Sequence, residues 1–255
     1  MPLIEPGVVI LVTGASGSIG FEIAAQAAAA GAVVGVHGSS ADSVARAQDQ
    51  LKARAPEARL IAAPGDFRAP GGAQGVVDAV AARTGRLDAV IHCAMAGAGA
   101  KTTGLFAETD PAHYGRLAET ILGVFEQLCF AALPHLARQG GTIVGFASDA
   151  GRFAAPRQSI LGGAYGGIMS FTRNLALEVA HQGVRVHCLS PSFVADTRIF
   201  DRFVQAGGRA KSARERAGLG LPTPEDIAPL ALFLCGPGAK RITGQVISIN
   251  GGLNA

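Results

Sequence analysis

Short, unbroken apolar runs recur along this chain, and a helical pattern stands between each pair of them. Val8–Val12 is β-rich and ends at a Gly-rich turn. Phe21–Ala30 is an Ala-rich helix closed by Gly31, and Ala32–Val36 is a second strand. Ser43–Ala55 has helical spacing and stops at Pro56. The rhythm continues through strands at Leu60–Ala63, Leu87–Ala94, Gly141–Ala147, Val184–Ser190 and Gln245–Ile249. Helical patterns cover Gly72–Thr84, Pro111–Arg138, Gly162–Gln182 and Pro224–Leu234. A strand that is apolar on both sides must be covered on both faces, and parallel neighbours need a crossover that a helix supplies. The alternation therefore predicts an α/β chain with a doubly wound parallel sheet. Its 255 residues suit one large domain, spanning 1–255, and are short for two. Only Thr197–Leu221 breaks the rhythm. It is rich in Arg, Gly and Ala and holds no strand, which predicts a mobile helical lid or loop over the carboxyl ends of the strands.

Charge and cysteine content narrow the function classes. The net charge is +3 with no basic run, so a nucleic-acid partner is not expected. Cys93, Cys129, Cys188 and Cys235 lie far apart and form no C-x-x-C, which predicts buried thiols and no metal site. No charged segment followed by an apolar core and a cleavage site is present, nor an apolar run of about 18 residues. The expectation is a soluble, cytoplasmic protein that does not enter a membrane.

The first strand runs into Thr13-Gly14-Ala15-Ser16-Gly17-Ser18-Ile19-Gly20. Glycines allow the tight turn and a close backbone approach to a pyrophosphate, while the helix that follows turns its amino end toward negative charge. A glycine pattern alone says little; after a strand and before a helix it has the required context. Gly14, Ser16, Ser18, Ile19 and Gly20 are thus candidate cofactor contacts, and a tight β-to-α turn that binds nothing is the alternative. The second strand ends Val36-His37-Gly38-Ser39-Ser40, without the acidic residue that would hold an adenosine ribose and without an arginine beside Ser39 and Ser40 to pair with a 2′-phosphate. The choice between NAD and NADP stays open. Asp66, after the third strand, is placed to accept a hydrogen bond from an adenine amino group or to serve as a cap or turn residue.

Further segments follow in order: Gly85-Arg86-Leu87-Asp88 leading into Ala89–Ala94, Gly141–Gly151, Leu175-Ala176-Leu177-Glu178 before Gly183-Val184-Arg185-Val186, Pro191, Pro224–Ala228, and Thr243-Gly244-Gln245 ending at Gly251-Gly252. With the Thr13–Gly20 loop, these resemble the short-chain dehydrogenase/reductase family over essentially the whole chain. The resemblance implies a Rossmann-type fold and hydride transfer between NAD or NADP and an alcohol or ketone. It adds Ala94 to the cofactor contacts. It implies a serine that fixes the carbonyl oxygen and a tyrosine that exchanges its proton. It also implies a lysine four residues on that lowers the tyrosine's pKa, and an asparagine that anchors a water.

Carried over by residue, the resemblance matches Ser148 to the serine. The tyrosine position, thirteen residues after Ser148 and seventeen before Glu178, is Leu161 by both spacings. The lysine position is Tyr165, and the asparagine position is Thr120. A shifted register that makes Tyr165 the proton donor leaves Met169 at the lysine position, and no lysine stands between Lys101 and Lys211. Leu161 has no proton to give. Loss of general acid–base help costs about 10²–10⁴ in rate. Ser148 is then a catalytic remnant or a strand-end serine, and Tyr165 a displaced proton donor or a buried or interface tyrosine. His92, His113 and His187 are expected to be structural or solvated.

Three readings follow. The chain is a non-catalytic subunit that pairs with an intact paralogue in a dimer or tetramer, within an NAD(P)-dependent alcohol or hydroxyacyl dehydrogenase complex. Alternatively it is a divergent oxidoreductase acting on a small hydroxyl or carbonyl substrate with a non-standard proton donor. The third reading is a dinucleotide-sensing binder without turnover.

Overall fold

The computed structural model describes residues 2–95, 102–205 and 209–254. Seven parallel strands form one sheet in the order β3-β2-β1-β4-β5-β6-β7. The strands are β1 (Val9–Thr13), β2 (Val33–Val36), β3 (Arg59–Ala62), β4 (Ala89–His92), β5 (Gly141–Phe146), β6 (Val184–Pro191) and β7 (Val246–Ile249). Helices α1 (Ser18–Ala29), α2 (Ala41–Arg54) and α3 (Gly72–Thr84) connect the first four. The strand order reverses between β1 and β4, and ligands of open α/β sheets bind at the carboxyl edge of such a switch point.

Alternation along β1 shows how the sheet is covered. Val9 and Leu11 pack with Val76, Val80, Phe125, Leu128 and Ile168 on one face. Ile10 and Val12 pack with Ile23, Ala27, Ile227 and Leu232 on the other. Successive side chains of a strand point to opposite faces, so a strand buried on both sides reads as a continuous apolar run. α2 starts where Ser40 and Ser43 exchange bonds in a capping box. α3 stops at Gly85, whose φ of 71° suits glycine.

The long helical segment differs from a single α-helix. A 3₁₀ turn (Pro111–His113) leads into α4 (Tyr114–Ala118), then a π-helical turn (Glu119–Gly123), then α5 (Val124–Leu136). Thr120 sits within the π turn. By length and composition Pro111–Leu136 could cross a membrane, yet its apolar face packs on the sheet through Leu117, Ile121, Phe125 and Leu128. The remaining helices are α6 (Ser159–Val179), α7 (Arg198–Gln205), α8 (Arg209–Arg216) and α9 (Pro224–Cys235).

The expected lid is helical, as α7 and α8; positions 206–208 lie outside the described residues. Phe200 and Ala213 are buried within it. Ala213 and Ala217 pack with Leu253, Phe193 and Leu221, which ties the segment to the carboxyl-terminal tail. Among the described residues all four cysteines are free. Burial raises every one of these thiols, Cys188 and Cys235 to about 12.

Candidate functional site

The phosphate loop is held against the end of β4 at the switch point. Gly14 has φ +67°, and a Cβ there would stand 2.8 Å from the Ala94 backbone. The Thr13 hydroxyl accepts the Ala94 amide at 3.2 Å and shares a hydrogen bond with His92 Nδ1 at 2.9 Å. Gly20, in the first turn of α1, presses on the Gly14 carbonyl so closely that any side chain would force them apart. Gly17 caps α1 without a side-chain bond, and the first turn carries no acidic residue. Ser18, Ile19 and Gly20 therefore present the amino end of α1 with no anion of their own. This loop fits the phosphates of a dinucleotide: the turn is glycine-only where it must be, and the amino end of α1 carries neither a capping side chain nor an acidic residue.

Sequence reasoning missed the side chain that fixes the loop. His37, 3% exposed at the end of β2, accepts the Gly14 amide on Nδ1 at 3.1 Å. Its Nε2–H donates to the Gly65 carbonyl at 3.0 Å, and its ring stacks on Phe67 with centroids 4.2 Å apart. Both nitrogens are used, so the ring is neutral with the proton on Nε2. Burial holds its pKa down at about 4. His92 lies between Phe67, to which it is tilted, and Phe125, on which it stacks, and its pKa is lowered to about 3 by burial. His187 is fully buried with its pKa lowered to about 4, again by burial first. His113 lies 3.4 Å from Asp110 at the surface.

The adenosine side is less complete. Ser40 and Ser43 spend their hydroxyls on the α2 cap, which leaves Ser39 as the open hydroxyl at the end of β2. Asp66 accepts the Arg68 amide and both edges of the Arg68 guanidinium, and these bonds hold its carboxyl down at about 2. The carboxylate thus stands in an exposed turn with Arg68 as its partner.

On the opposite side of the switch point, Ser148 lies two residues after β5 and caps the short turn Asp149–Gly151, with its Oγ accepting the Ala150 amide at 3.4 Å. Leu161 lies in the first turn of α6 and packs, half-buried, against the core. Tyr165, one turn later, is 5% exposed. Its hydroxyl donates to Met95 Sδ at 3.7 Å, and burial pushes its pKa up to about 12. A catalytic tyrosine needs the reverse shift, supplied by a nearby cation. Thr120 is half-buried in the π turn, where the i→i+5 pattern often marks functional positions.

Next to Ser148, Asp149 is 2% exposed and gathers donors from three distant segments. Ser190, Ser248 and Asn250 donate to its carboxylate, and Asn254 lies at 3.4 Å. This network joins the ends of β5, β6 and β7 to the tail. Among the described residues no cluster of three or more His, Cys, Asp or Glu side chains is arranged to hold a metal.

The model of a family described as enoyl-(acyl carrier protein) reductase matches residues 14–254. A 3-oxoacyl-[acyl-carrier-protein] reductase FabG of Chlamydia muridarum is 29% identical over 95% of this chain and 96% of its own. The short-chain reductase protein NovJ of Streptomyces niveus is 32% identical over 96% of this chain and 93% of its own. Among solved structures, a short-chain type dehydrogenase/reductase from Mycobacterium ulcerans superposes with a TM-score of 0.89 at 27% identity, covering 98% of this chain and 90% of that one. With the seven-stranded parallel sheet and the glycine loop at its switch point, these matches place the chain in the short-chain dehydrogenase/reductase family of oxidoreductases.

Proposed function

We propose that this chain is a catalytically degenerate member of its family. It acts as the structural partner of an intact subunit in an NAD(P)-dependent alcohol or hydroxyacyl dehydrogenase complex. The observation that carries this reading is the pair Leu161 and Tyr165 on α6. The first has no exchangeable proton, and the second is buried, bonded to a thioether and far from any lysine in sequence. Ser148 remains able to orient a carbonyl oxygen but has no partner in proton transfer. Thr120 keeps a hydroxyl where the family has an asparagine.

The exposed apolar surface supports a partner. Phe130 on α5 and Leu177 on α6 are 78% and 79% exposed, and Phe130 borders a shallow cavity with Ala73, Glu126 and Ala131. Family members commonly assemble as dimers or tetramers, and large exposed apolar side chains mark such surfaces. In this reading the loop Gly14–Gly20 with Ala94 retains the phosphate half of NAD or NADP. A bound dinucleotide supplies hydride chemistry; here the chain's own residues hold its phosphates and leave the acid–base step to the partner. The cytoplasm is the expected compartment.

Purified alone, the chain is expected to show no dehydrogenase activity with NAD(H) or NADP(H) across alcohols and ketones, and to co-purify with an intact homologue when both are expressed. Turnover by the lone chain at about 1 s⁻¹ or faster, an ordinary enzyme rate, sinks the reading.

The intact glycine loop favours a second reading, a divergent oxidoreductase whose proton donor is Ser148, Tyr165 or a lid residue. It requires dehydrogenase activity in the lone chain, and it fails if Ser148→Ala leaves that activity untouched.

A further inference from the structure

One contact links the lid to the phosphate loop across 182 positions of sequence. The Arg198 guanidinium donates from Nη2 to the Ser16 carbonyl at 3.1 Å. Arg198 is the first residue of α7, and its place is set by Thr197. The Thr197 hydroxyl accepts the Phe200 amide at 3.1 Å and donates to the Val194 carbonyl at 2.9 Å. The arginine itself is exposed, and among the described residues it forms no ion pair. A guanidinium has five N–H donors, and a single neutral carbonyl uses one of them.

The loop beneath it lacks what Arg198 offers. Thr13–Gly20 contains no lysine or arginine, and neither does Val36–Ser40 at the end of β2. The α1 amino end has no capping side chain and no acidic residue in its first turn. Ser16 stands between the two, with its Oγ facing Gly38 at the β2 end. A phosphate on this loop would meet backbone amides from below and, from above, a cation carried by the lid.

We propose that Arg198 is a phosphate-binding residue of the lid. An adenine-nucleotide phosphate seated on the Gly14–Gly20 loop draws the guanidinium from the Ser16 carbonyl into a charge-assisted contact, and so fastens α7 over the nucleotide. The phosphate is either the 5′-diphosphate or a 2′-phosphate on the adenosine ribose, and both lie within the chemistry that a planar fork of donors recognises. The proposal rests on the reading that the loop holds a dinucleotide.

The test titrates the purified full chain with NADH, NADPH and ADP, by calorimetry, for wild type, Arg198→Gln and Arg198→Lys. Arg198→Gln is expected to weaken binding about tenfold or more, with Arg198→Lys between, since it keeps the charge and loses the fork. A loss shared by all three ligands assigns the contact to the 5′-diphosphate. A loss confined to NADPH assigns it to the 2′-phosphate. Trypsin supplies the second readout, through the exposed Arg202, Arg214 and Arg216 of the lid. Nucleotide should slow cleavage there in wild type and fail to do so in Arg198→Gln. Equal affinities and equal protection in the two proteins overturn the latch and leave the loop as a binding site. Absence of binding by wild type overturns both the latch and the dinucleotide reading.

Discussion

His37 Nδ1 accepts the amide proton of Gly14, so the first glycine of the phosphate loop is aligned by a side chain from the neighbouring strand. That bond exists only while the imidazole is neutral at Nδ1. Protonation would set two donors against each other and bury a charge between Phe67 and the loop.

Acid should therefore unfold this protein early. His37, His92 and His187 all have folded pKa values below the ordinary 6.5, at about 4, 3 and 4. Between those values and 6.5 the unfolded chain binds more protons than the folded one, so stability rises with pH across that window and is lost as pH falls through it. Each histidine contributes up to about 1.4 kcal/mol per pH unit there. Urea midpoints measured from pH 7.5 to pH 4.5 should fall, and the fall should be shallower in His187→Leu. A midpoint independent of pH over this range would contradict the neutral assignments.

Asp149 should be among the costliest polar positions to change. Its carboxylate satisfies donors on Ser190, Ser248 and Asn250, all brought to it from the sheet edge and tail. Asp149→Ala leaves those donors without an acceptor in a buried place, at a cost of about 3 kcal/mol or more. Asp149→Asn keeps the shape but turns one acceptor into a donor, and should cost less than the alanine. Chemical denaturation of the two variants checks both the magnitude and the order.

Much of this architecture is legible from sequence because its causes are local or periodic. Seven apolar runs became seven strands: the central ones, such as β1 and β4, are buried throughout and need no polar side, while the edge strands β3 and β7 are only partly covered. α3 begins at Gly72 and ends at Thr84 as expected, with Gly85 as the stop. The π turn at Glu119–Gly123 is invisible, because shifting one hydrogen bond from i→i+4 to i→i+5 leaves the apolar pattern almost unchanged. The lid gave its helical character, but not its packing on Leu253. His37, Asp149 and Arg198 went unread for another reason. Their partners lie 23, 101 and 182 positions away for Gly14, Asn250 and Ser16. Only the closed sheet brings these residues together, and no short motif contains both members of any pair.

Gly14→Ala should separate fold from ligand binding. The new methyl group meets the Ala94 backbone at 2.8 Å, and φ of +67° is strained for alanine. Together these cost about 1–3 kcal/mol, which a domain of this size survives. The displaced turn no longer aims the amino end of α1, so dinucleotide affinity should fall about a hundredfold or to nothing. Circular dichroism with a calorimetric titration distinguishes this from simple unfolding. Retained affinity in a folded Gly14→Ala variant would show that the ligand sits elsewhere.

Tyr165→Phe tests the reading of the catalytic positions most directly. The hydroxyl's bond goes to the Met95 sulfur, a weak acceptor at 3.7 Å, so its removal should cost less than about 1 kcal/mol. The ring, which fills the core beside Gly151 and supports α6, is kept. If the chain is a structural partner, Tyr165→Phe leaves the activity of the assembled complex unchanged, because the proton comes from the other subunit. If Tyr165 is a displaced acid, the same change lowers turnover about a hundredfold or more, and the rate should then follow a basic limb set by a hydroxyl whose pKa burial has pushed to about 12. The two outcomes differ by far more than the error of a steady-state assay. Leu161 has no part in either, since no protonation state of a leucine side chain changes with pH.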